Sequence, residues 1–108
     1  MSTVIALNAK NFDTAINQKD LCVVRFWAPW CAPCRMVAPI FNQLSIDMKD
    51  NATFAEVNID DSQSIAGKYA IRSIPTTVIY KEGLPIDTLV GATSLSYFKE
   101  FVLKHLED

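Results

Sequence analysis

The 108-residue sequence is poor in several features that mark large protein classes. It has three cysteines and one histidine, whereas a secreted disulfide scaffold usually has an even number of cysteines at higher density. Its formal net charge is −2, and it lacks the basic clusters typical of proteins that bind nucleic acid or anionic membranes. It contains no long apolar run, so we expect neither a signal peptide nor a membrane-spanning helix. These absences argue against nucleic-acid and membrane partners.

The bulk composition is that of a globular protein. Hydrophobic residues make up 50% of the chain and charged residues 20%, which argues against disorder. Repeats and linkers are absent, so the length predicts one domain spanning residues 1–108. Cys22 lies in an apolar run and is expected to be a buried small hydrophobe. The other two cysteines are clustered, which favours redox thiols in a reducing compartment and therefore a cytoplasmic protein.

Two cysteines occupy positions 31 and 34, shortly after an apolar, strand-like run over residues 21–27. At this spacing on a helical turn their side chains share one face, with Cβ atoms roughly 5–6 Å apart. Modest tightening brings them to the roughly 3.5–4.5 Å that a disulfide requires. The positive end of the helix favours thiolate at the first cysteine. We therefore expect Cys31 to be the exposed, attacking thiol and Cys34 the buried, resolving thiol, with Pro33 in the first helical turn.

Apolar periodicity predicts alternating strands and helices that end in a hairpin. The helix after the two cysteines should run over residues 32–48 and be kinked at Pro39. Parallel crossovers join the first strands, residues 81–85 connect the closing hairpin, and helices should cover both faces of a mixed sheet. Ser94 should open the last helix. The predicted strands span residues 4–7, 22–27, 54–59, 76–80 and 86–90.

Individual side chains give further expectations. Asn8 is expected to cap the first helix, and Asp61 or Ser62 the third, because their side chains can accept from free backbone N–H groups. Met36 should lie on the apolar side of the second helix. The single histidine, His105, is expected to be a solvated side chain at a helix end, without a catalytic role.

Several short segments together resemble the thioredoxin family over essentially the whole chain. A lone Cys-x-x-Cys is a weak signal, but here tryptophan and proline flank it, and Ile-Pro-Thr and Val-Gly-Ala follow at a distance. The resemblance implies an α/β thioredoxin fold, in which four helices flank a central five-stranded mixed sheet. It also implies that Pro75 is cis and faces the cysteines, although few X–Pro bonds are cis in general. The matching segments are residues 26–34, 38–39, 57–60, 71–76 and 90–92.

The resemblance further implies a shallow, largely apolar docking patch. In that family an extended client segment pairs with the backbone beside the cis proline, which is a form of strand addition. A tryptophan suits such an interface because its ring is apolar with one polar edge. The alternative for Trp30 is mere surface packing. The substrate-binding residues would be Trp30, Ala32, Pro33, Ile74, Pro75, Gly91 and Ala92.

The activity implied by the resemblance is reduction of protein disulfides. Cys31 thiolate would attack a client disulfide to form a mixed disulfide, and Cys34 would then attack Cys31 and release the reduced client. A reductase, in this family an NADPH-dependent thioredoxin reductase, would restore the dithiol. The implied partners are disulfide-containing client proteins and that reductase. The chain itself would act as a monomer, with no metal and no cofactor beyond its redox-active disulfide.

The chain departs from the family's pattern at three functional positions. Ala32 replaces the usual glycine between the cysteines, and we expect a modest effect on reduction potential and docking. Arg25 stands where a buried aspartate is usual, and Glu56 where the neighbouring strand usually has lysine, so the two charge signs are exchanged. An unpaired buried arginine would cost on the order of several kcal/mol, which makes Glu56 its obvious partner.

Two hypotheses account for this exchange of charges. In the family the buried acid is thought to accept and return the resolving cysteine's proton, which Arg25 cannot do because its guanidinium stays charged. Under the first hypothesis Glu56 takes that role, while Arg25 holds its carboxylate and stabilises thiolate. Under the second, the two residues are a structural ion pair, with Arg25 stretching toward solvent and water acting as the base.

Three other functions fit parts of the sequence. An oxidant or isomerase would use the same motif, although Ala-Pro between the cysteines resembles the reducing type. A copper or zinc carrier would need more ligands than one cysteine pair and the distant His105 provide. A non-catalytic binding module would not need two intact cysteines. Reduction of protein disulfides is therefore the function that the sequence favours.

Overall fold

The computed structural model describes residues 3–106, so the ends of the predicted 1–108 domain lie outside the described residues. Strands and helices alternate along the chain until two consecutive strands precede the last helix. The strands are β1 (Ile5–Leu7), β2 (Leu21–Trp27), β3 (Ala52–Asn58), β4 (Thr76–Lys81) and β5 (Leu84–Val90). The helices are α1 (Phe12–Ile16), α2 (Ala32–Asp47), α3 (Gln63–Lys68) and α4 (Leu95–Leu103).

The strands form one five-stranded sheet in the order β1-β3-β2-β4-β5. β1 and β2 both pair in parallel with β3, whereas β4 runs antiparallel to β2, and β5 antiparallel to β4. This is the mixed sheet with four helices that the resemblance implied. The carboxyl ends of β1, β2 and β3 and the start of β4 therefore meet at one edge of the sheet.

The core lies on both faces of this sheet. One cluster packs α2 and α4 against it through side chains such as Phe41 and Phe98. The other packs α1 and α3 against the opposite face through side chains such as Phe12 and Ile65. Nearly all of β2 is buried, as expected for a strand covered on both sides. Cys22 lies in this strand and is fully buried, as predicted, and burial raises the pKa of its thiol to about 12.

The starts of three helices test the predicted caps. Asn11 is the N-cap residue of α1, so the prediction that Asn8 caps this helix is wrong. The Asn8 side-chain oxygen accepts instead from two backbone N–H groups ahead of the helix, at 2.8 and 3.2 Å, and this local turn competes with capping. Ser62 precedes α3 as predicted, without a side-chain capping bond. Ser94 caps α4, because its hydroxyl oxygen accepts from the N–H of Tyr97 at 3.2 Å.

Two side chains have surroundings different from those predicted. Met36 is 69% exposed, because the buried stripe of α2 begins with Cys34 and Val37 and recurs every three or four residues, which leaves Met36 beside it. His105 follows the end of α4 and is only 20% exposed, with Nε2 2.7 Å from the Asp87 carboxylate of β5. The prediction of a solvated histidine is therefore wrong, since a partner from a distant strand covers the ring.

The hairpin between β4 and β5 is tighter than the predicted connection over residues 81–85. Only Glu82 and Gly83 separate the strands, with φ of 53° and 84°. Positive φ at both positions is the pattern of a type I′ turn, whose twist matches that of the flanking strands. β5 consequently begins at Leu84, before its predicted start.

Candidate active site

The two clustered cysteines lie where β2 gives way to α2. Cys31 is the N-cap residue of α2, Pro33 falls in the first turn, and Cys31 and Cys34 form a disulfide with Cα atoms 5.2 Å apart. The backbone N–H of Cys34 lies 3.2 Å from Cys31 Sγ and points to it. After reduction, this N–H and the positive end of the helix would stabilise thiolate on Cys31. The placement of both cysteines and of the proline agrees with the prediction.

The two sulfurs differ in exposure less than predicted. Cys34 is fully buried and Cys31 is only 6% exposed, so the expectation of an openly exposed attacking thiol is wrong in degree. The reason is the loop before β4, because Cys31 Sγ lies 3.8 Å from the carbonyl oxygen of Ile74. Cys31 is still the more exposed residue of the two.

The loop beside the disulfide contains the cis peptide bond between Ile74 and Pro75 that the resemblance implied. The carbonyl oxygen of Pro75 accepts from the N–H of Gly91 at 2.8 Å, which ties the start of β4 to the end of β5. Gly91 has a φ of 96°, a conformation in which a residue with a side chain would be strained. Ile74 thus lies beside Cys31, and Gly91 is joined to the adjacent Pro75.

The surface around the disulfide includes a tryptophan held by its polar edge. Trp30 is 65% exposed, and its indole N–H donates to the Asp60 carboxylate, 3.1 and 3.3 Å from the two oxygens. The apolar ring is thus held in position while much of it remains open to solvent. Of the other residues predicted to bind a client, Ala32, Pro33 and Ala92 are exposed, Ile74 and Gly91 are partly buried, and Pro75 is buried.

Arg25 and Glu56 form the ion pair expected from their exchanged signs. They are register partners on β2 and β3, and Arg25 Nη2 lies 3.5 Å from Glu56 Oε1. Arg25 is 4% exposed, whereas the Glu56 side chain is 24% exposed. The idea that Arg25 stretches toward solvent is therefore wrong, and Glu56 is the member of the pair that solvent reaches.

Arg25 also connects this pair to the resolving cysteine. Its Nη1 donates to the carbonyl oxygen of Cys34 at 3.3 Å, and its guanidinium carbon lies 5.2 Å from the ring centre of Trp27 and 5.8 Å from that of Phe41. Burial lowers the pKa of Arg25, and the Glu56 carboxylate opposes this shift. Since guanidinium titrates so far above neutral pH, the residue remains a cation behind the disulfide.

Three residues that support the site were missed from the sequence. Asp60 accepts a hydrogen bond from Trp30. The sequence could have predicted that the two residues lie close together, because each follows the carboxyl end of one of two adjacent parallel strands. Trp27 and Phe41 provide the aromatic surfaces around Arg25, but nothing in the sequence distinguishes them from ordinary core residues. The environment of the buried cation is therefore visible only in the structure.

Two features of the described residues bear on rival functions. Among residues 3–106, no three His, Cys, Asp or Glu side chains are grouped as a metal ion would require. His105, the one additional ligand considered for a metal carrier, is paired with Asp87. In the same part of the chain, no helix has the length and apolar character needed to cross a membrane.

Comparison with known proteins gives matches along nearly the whole chain. The thioredoxin family model matches residues 3–104. The chain is 40% identical to thioredoxin 1 of Synechococcus elongatus, over 98% of this chain and 100% of that protein. It is 43% identical to a thioredoxin of Chlorobaculum thiosulfatiphilum, over 90% of this chain and 91% of that protein.

A solved structure is similar as well. The crystal structure of a Malassezia sympodialis thioredoxin superimposes with a TM-score of 0.90 at 33% sequence identity. The match covers 97% of this chain and 92% of that one. The two chains therefore share the same overall fold.

Proposed function

The chain belongs to the thioredoxin family, and we propose that Cys31 is the attacking thiol and Cys34 the resolving thiol of its reaction. The protein is a thiol–disulfide oxidoreductase that reduces protein disulfides. The observation that carries the assignment is the difference between the two cysteines. Cys31 retains some exposure and receives the N–H of Cys34, whereas Cys34 is fully buried.

The proposed cycle balances electrons and protons. Cys31 thiolate attacks one sulfur of the client disulfide, and the departing client sulfur takes the bonding electron pair and then a proton from solvent. Cys34 loses its proton and attacks Cys31 Sγ, which re-forms the Cys31–Cys34 disulfide and expels the second client thiolate. The client gains two electrons and the protein loses two, so a reductase has to return them.

Client docking is proposed on the predicted patch around the disulfide. An extended client segment would pair with the backbone at Ile74, beside Pro75, as in strand addition. Its support is the position of the Ile74 carbonyl oxygen 3.8 Å from Cys31 Sγ, because a segment paired with the backbone there would lie close to the attacking sulfur. Trp30, Ala32, Pro33, Gly91 and Ala92 would border that segment.

Glu56 is proposed to accept the proton that Cys34 loses. The support is that the Arg25 guanidinium contacts both the backbone carbonyl oxygen of Cys34 and the Glu56 carboxylate, so it links the acid to the residue that carries the resolving thiol. That cation would favour thiolate at Cys34, and Glu56 is the carboxylate with which it forms an ion pair. In the alternative, the pair is purely structural and water is the base.

The partners and the compartment are inferred from the family and the composition. The clients would be proteins with accessible disulfides, and an NADPH-dependent thioredoxin reductase would restore the dithiol. The protein would work in the cytoplasm as a monomer and as a single domain over residues 1–108, without a metal or another cofactor. The low cysteine count and the acidic net charge of −2 support a reducing compartment and a protein without nucleic-acid partners.

Two cysteine variants test the assigned roles. Cys34→Ser should accumulate a stable mixed disulfide with a client, because the attacking thiol remains and the resolving thiol is gone. Cys31→Ser should trap none and reduce none. If Cys31→Ser captured the client and Cys34→Ser did not, the assignment would be reversed, and retained activity in Cys31→Ser would favour a non-catalytic binding module.

The proton role is tested by Glu56→Gln, which keeps the size of the side chain but cannot accept a proton. We expect slower resolution of the mixed disulfide and an altered titration of Cys34. If turnover and the titration of the Cys34 thiol were both unchanged, the Arg25–Glu56 ion pair would have only a structural role.

A further inference from the structure

A tight turn that carries Trp30 precedes the helix of the cysteine pair. The backbone N–H of Cys31 donates to the carbonyl oxygen of Ala28 at 3.2 Å, which closes a β-turn with Pro29 and Trp30 as its central residues. Proline suits the first central position, because its fixed φ matches the turn. The backbone of this turn therefore sets the direction in which the Trp30 side chain leaves the chain.

Arg35 joins this turn to the helix that follows it. The Arg35 Nη1 donates to the carbonyl oxygen of Pro29 at 2.8 Å. Arg35 lies one helical turn after Cys31, whose carbonyl oxygen accepts the backbone N–H of Arg35 at 3.2 Å. Because side chains on a helix tilt toward its N-terminus, the guanidinium reaches back to the preceding turn. The peptide group between Pro29 and Trp30 is thus held by a side chain of α2.

Trp30 is consequently held at both ends. Arg35 holds the carbonyl of the preceding residue, and Asp60 accepts from the indole N–H, with its two oxygens at 3.1 and 3.3 Å. Trp30 nevertheless remains 65% exposed. An exposed side chain that is already ordered loses less conformational entropy when another molecule binds to it. The arrangement suits a contact that is formed before a client arrives.

The stability of α2 does not account for an arginine at this position. The first turn of the helix has no acidic residue, and a cation near the positive end of a helix is unfavourable. Arg35 is exposed, so its side chain adds nothing to the core. Among residues 3–106, the Pro29 carbonyl is the one hydrogen-bond or ionic partner of this side chain. The contact with the turn is therefore what the structure offers as its role.

We propose that Arg35 is a positioning residue for client docking, which holds the turn over residues 28–31 so that Trp30 keeps the orientation in which a client meets it. The inference rests on the proposed docking patch and extends it by one residue, which acts through Trp30. Arg35 then affects how tightly a client binds. The exchange chemistry of Cys31 and Cys34 does not depend on it.

Three variants separate the contact from the charge. Arg35→Met keeps a long side chain but removes both the donor and the charge, whereas Arg35→Lys keeps a donor and should restore most of what Arg35→Met loses. Arg72→Met is the matched control, because Arg72 is also an exposed arginine and lies in the loop before Ile74. Within the described part of the chain, the Arg72 side chain forms no hydrogen bond or ion pair.

The first measurement is the mobility of the Trp30 ring in the oxidised protein, from ¹⁵N relaxation of its indole N–H. The indole N–H of Trp27 is buried and serves as an internal reference. We expect greater mobility of Trp30 on the picosecond-to-nanosecond timescale in Arg35→Met, and mobility close to that of the wild type in Arg35→Lys and Arg72→Met. Unchanged mobility in Arg35→Met, or an equal increase in Arg72→Met, would contradict the proposal.

The second measurement separates docking from chemistry. For an uncharged peptide client with one disulfide, Arg35→Met should raise KM about twofold to tenfold and leave kcat nearly unchanged, because binding then has to order one more large side chain. Bis(2-hydroxyethyl) disulfide has no peptide segment that could dock, so every variant should reduce it at the wild-type rate. A slower reaction of Arg35→Met with this small disulfide would mean that Arg35 acts on the Cys31 thiolate, and would overturn the proposal.

Trp30→Ala distinguishes failure of this inference from failure of the docking patch. If Trp30→Ala raises KM for the peptide and Arg35→Met does not, the positioning role fails and the patch stands. If neither raises KM, Trp30 does not bind the client, and the inference fails with that part of the patch. If the inference is correct, adding Arg35→Met to Trp30→Ala should raise KM no further, because the ring that Arg35 positions is already absent. An additional increase in that double variant would refute the positioning role.

Discussion

Replacing Glu56 by glutamine should destabilise the fold, because it leaves the Arg25 cation without its counter-charge. At an effective dielectric constant of about 20, unit charges 3.5 Å apart attract by roughly 5 kcal/mol. Desolvation of both groups offsets much of that attraction, and breaking a fully buried pair from one side costs about 3–5 kcal/mol. Glu56 is 24% exposed and glutamine keeps an oxygen acceptor, so we expect a loss of about 2 kcal/mol in the free energy of unfolding.

The measurement is urea and thermal unfolding of the oxidised protein at pH 7. A loss of about 2 kcal/mol corresponds to a Tm lower by roughly 8–16 °C, given about 4–8 °C per kcal/mol for a domain near this size. Glu82→Gln, an exposed carboxylate in the hairpin turn, is the matched control and should change the free energy by less than about 0.5 kcal/mol. If Glu56→Gln were as stable as that control, the carboxylate would not be what makes a buried Arg25 tolerable.

Three further predictions concern single side chains. Because burial raises the pKa of Cys22 to about 12, iodoacetamide at pH 8 should label Cys31 but not Cys22 in the folded, reduced protein, and labelling of both would contradict this. Ser94→Ala should lower the free energy of unfolding by about 1 kcal/mol in urea, since α4 loses its cap; an unchanged value would mean that the cap contributes nothing. Burial raises the pKa of Asp87, but hydrogen bonds from His105 and the adjacent lysine outweigh it and lower that pKa below its ordinary value. The stability that Asp87 contributes is therefore present above the unfolded pKa of about 3.9 and lost as the pH falls through the folded value, so Asp87→Asn should be less stable than wild type at pH 7 and approach it toward pH 2. If Asp87→Asn were less stable than wild type by the same amount at every pH, the lowered pKa of Asp87 would not be the source of its contribution.

The predictable parts of the molecule are those that depend on short sequence patterns or on charges carried by neighbouring strands. The apolar run of β2 indicated a strand covered on both faces, and the two cysteines with Pro33 indicated the start of a helix. The pairing of Arg25 with Glu56 followed from their opposite charges once the resemblance had placed them on neighbouring buried strands, where such charges have few other ways to be compensated. The cis bond at Pro75, by contrast, was available only through the resemblance.

The parts that were missed depend on residues far apart in the sequence. Cys31 is covered by the loop at Ile74, 43 residues away, and His105 is covered by Asp87 of β5. At Asn8 the competition was local, since a side chain that can cap a helix can also close the turn before it.

The central claim, that this protein is a disulfide reductase despite its exchanged charges and Ala32, is tested most directly by its equilibrium with glutathione. The ratio of dithiol to disulfide can be followed through the fluorescence of Trp27 and Trp30 in buffers of defined glutathione potential. The account predicts a potential clearly below about −240 mV, where the cytosolic glutathione pool cannot readily oxidise the protein. A potential between about −120 and −180 mV, the range of oxidants and isomerases, would contradict it.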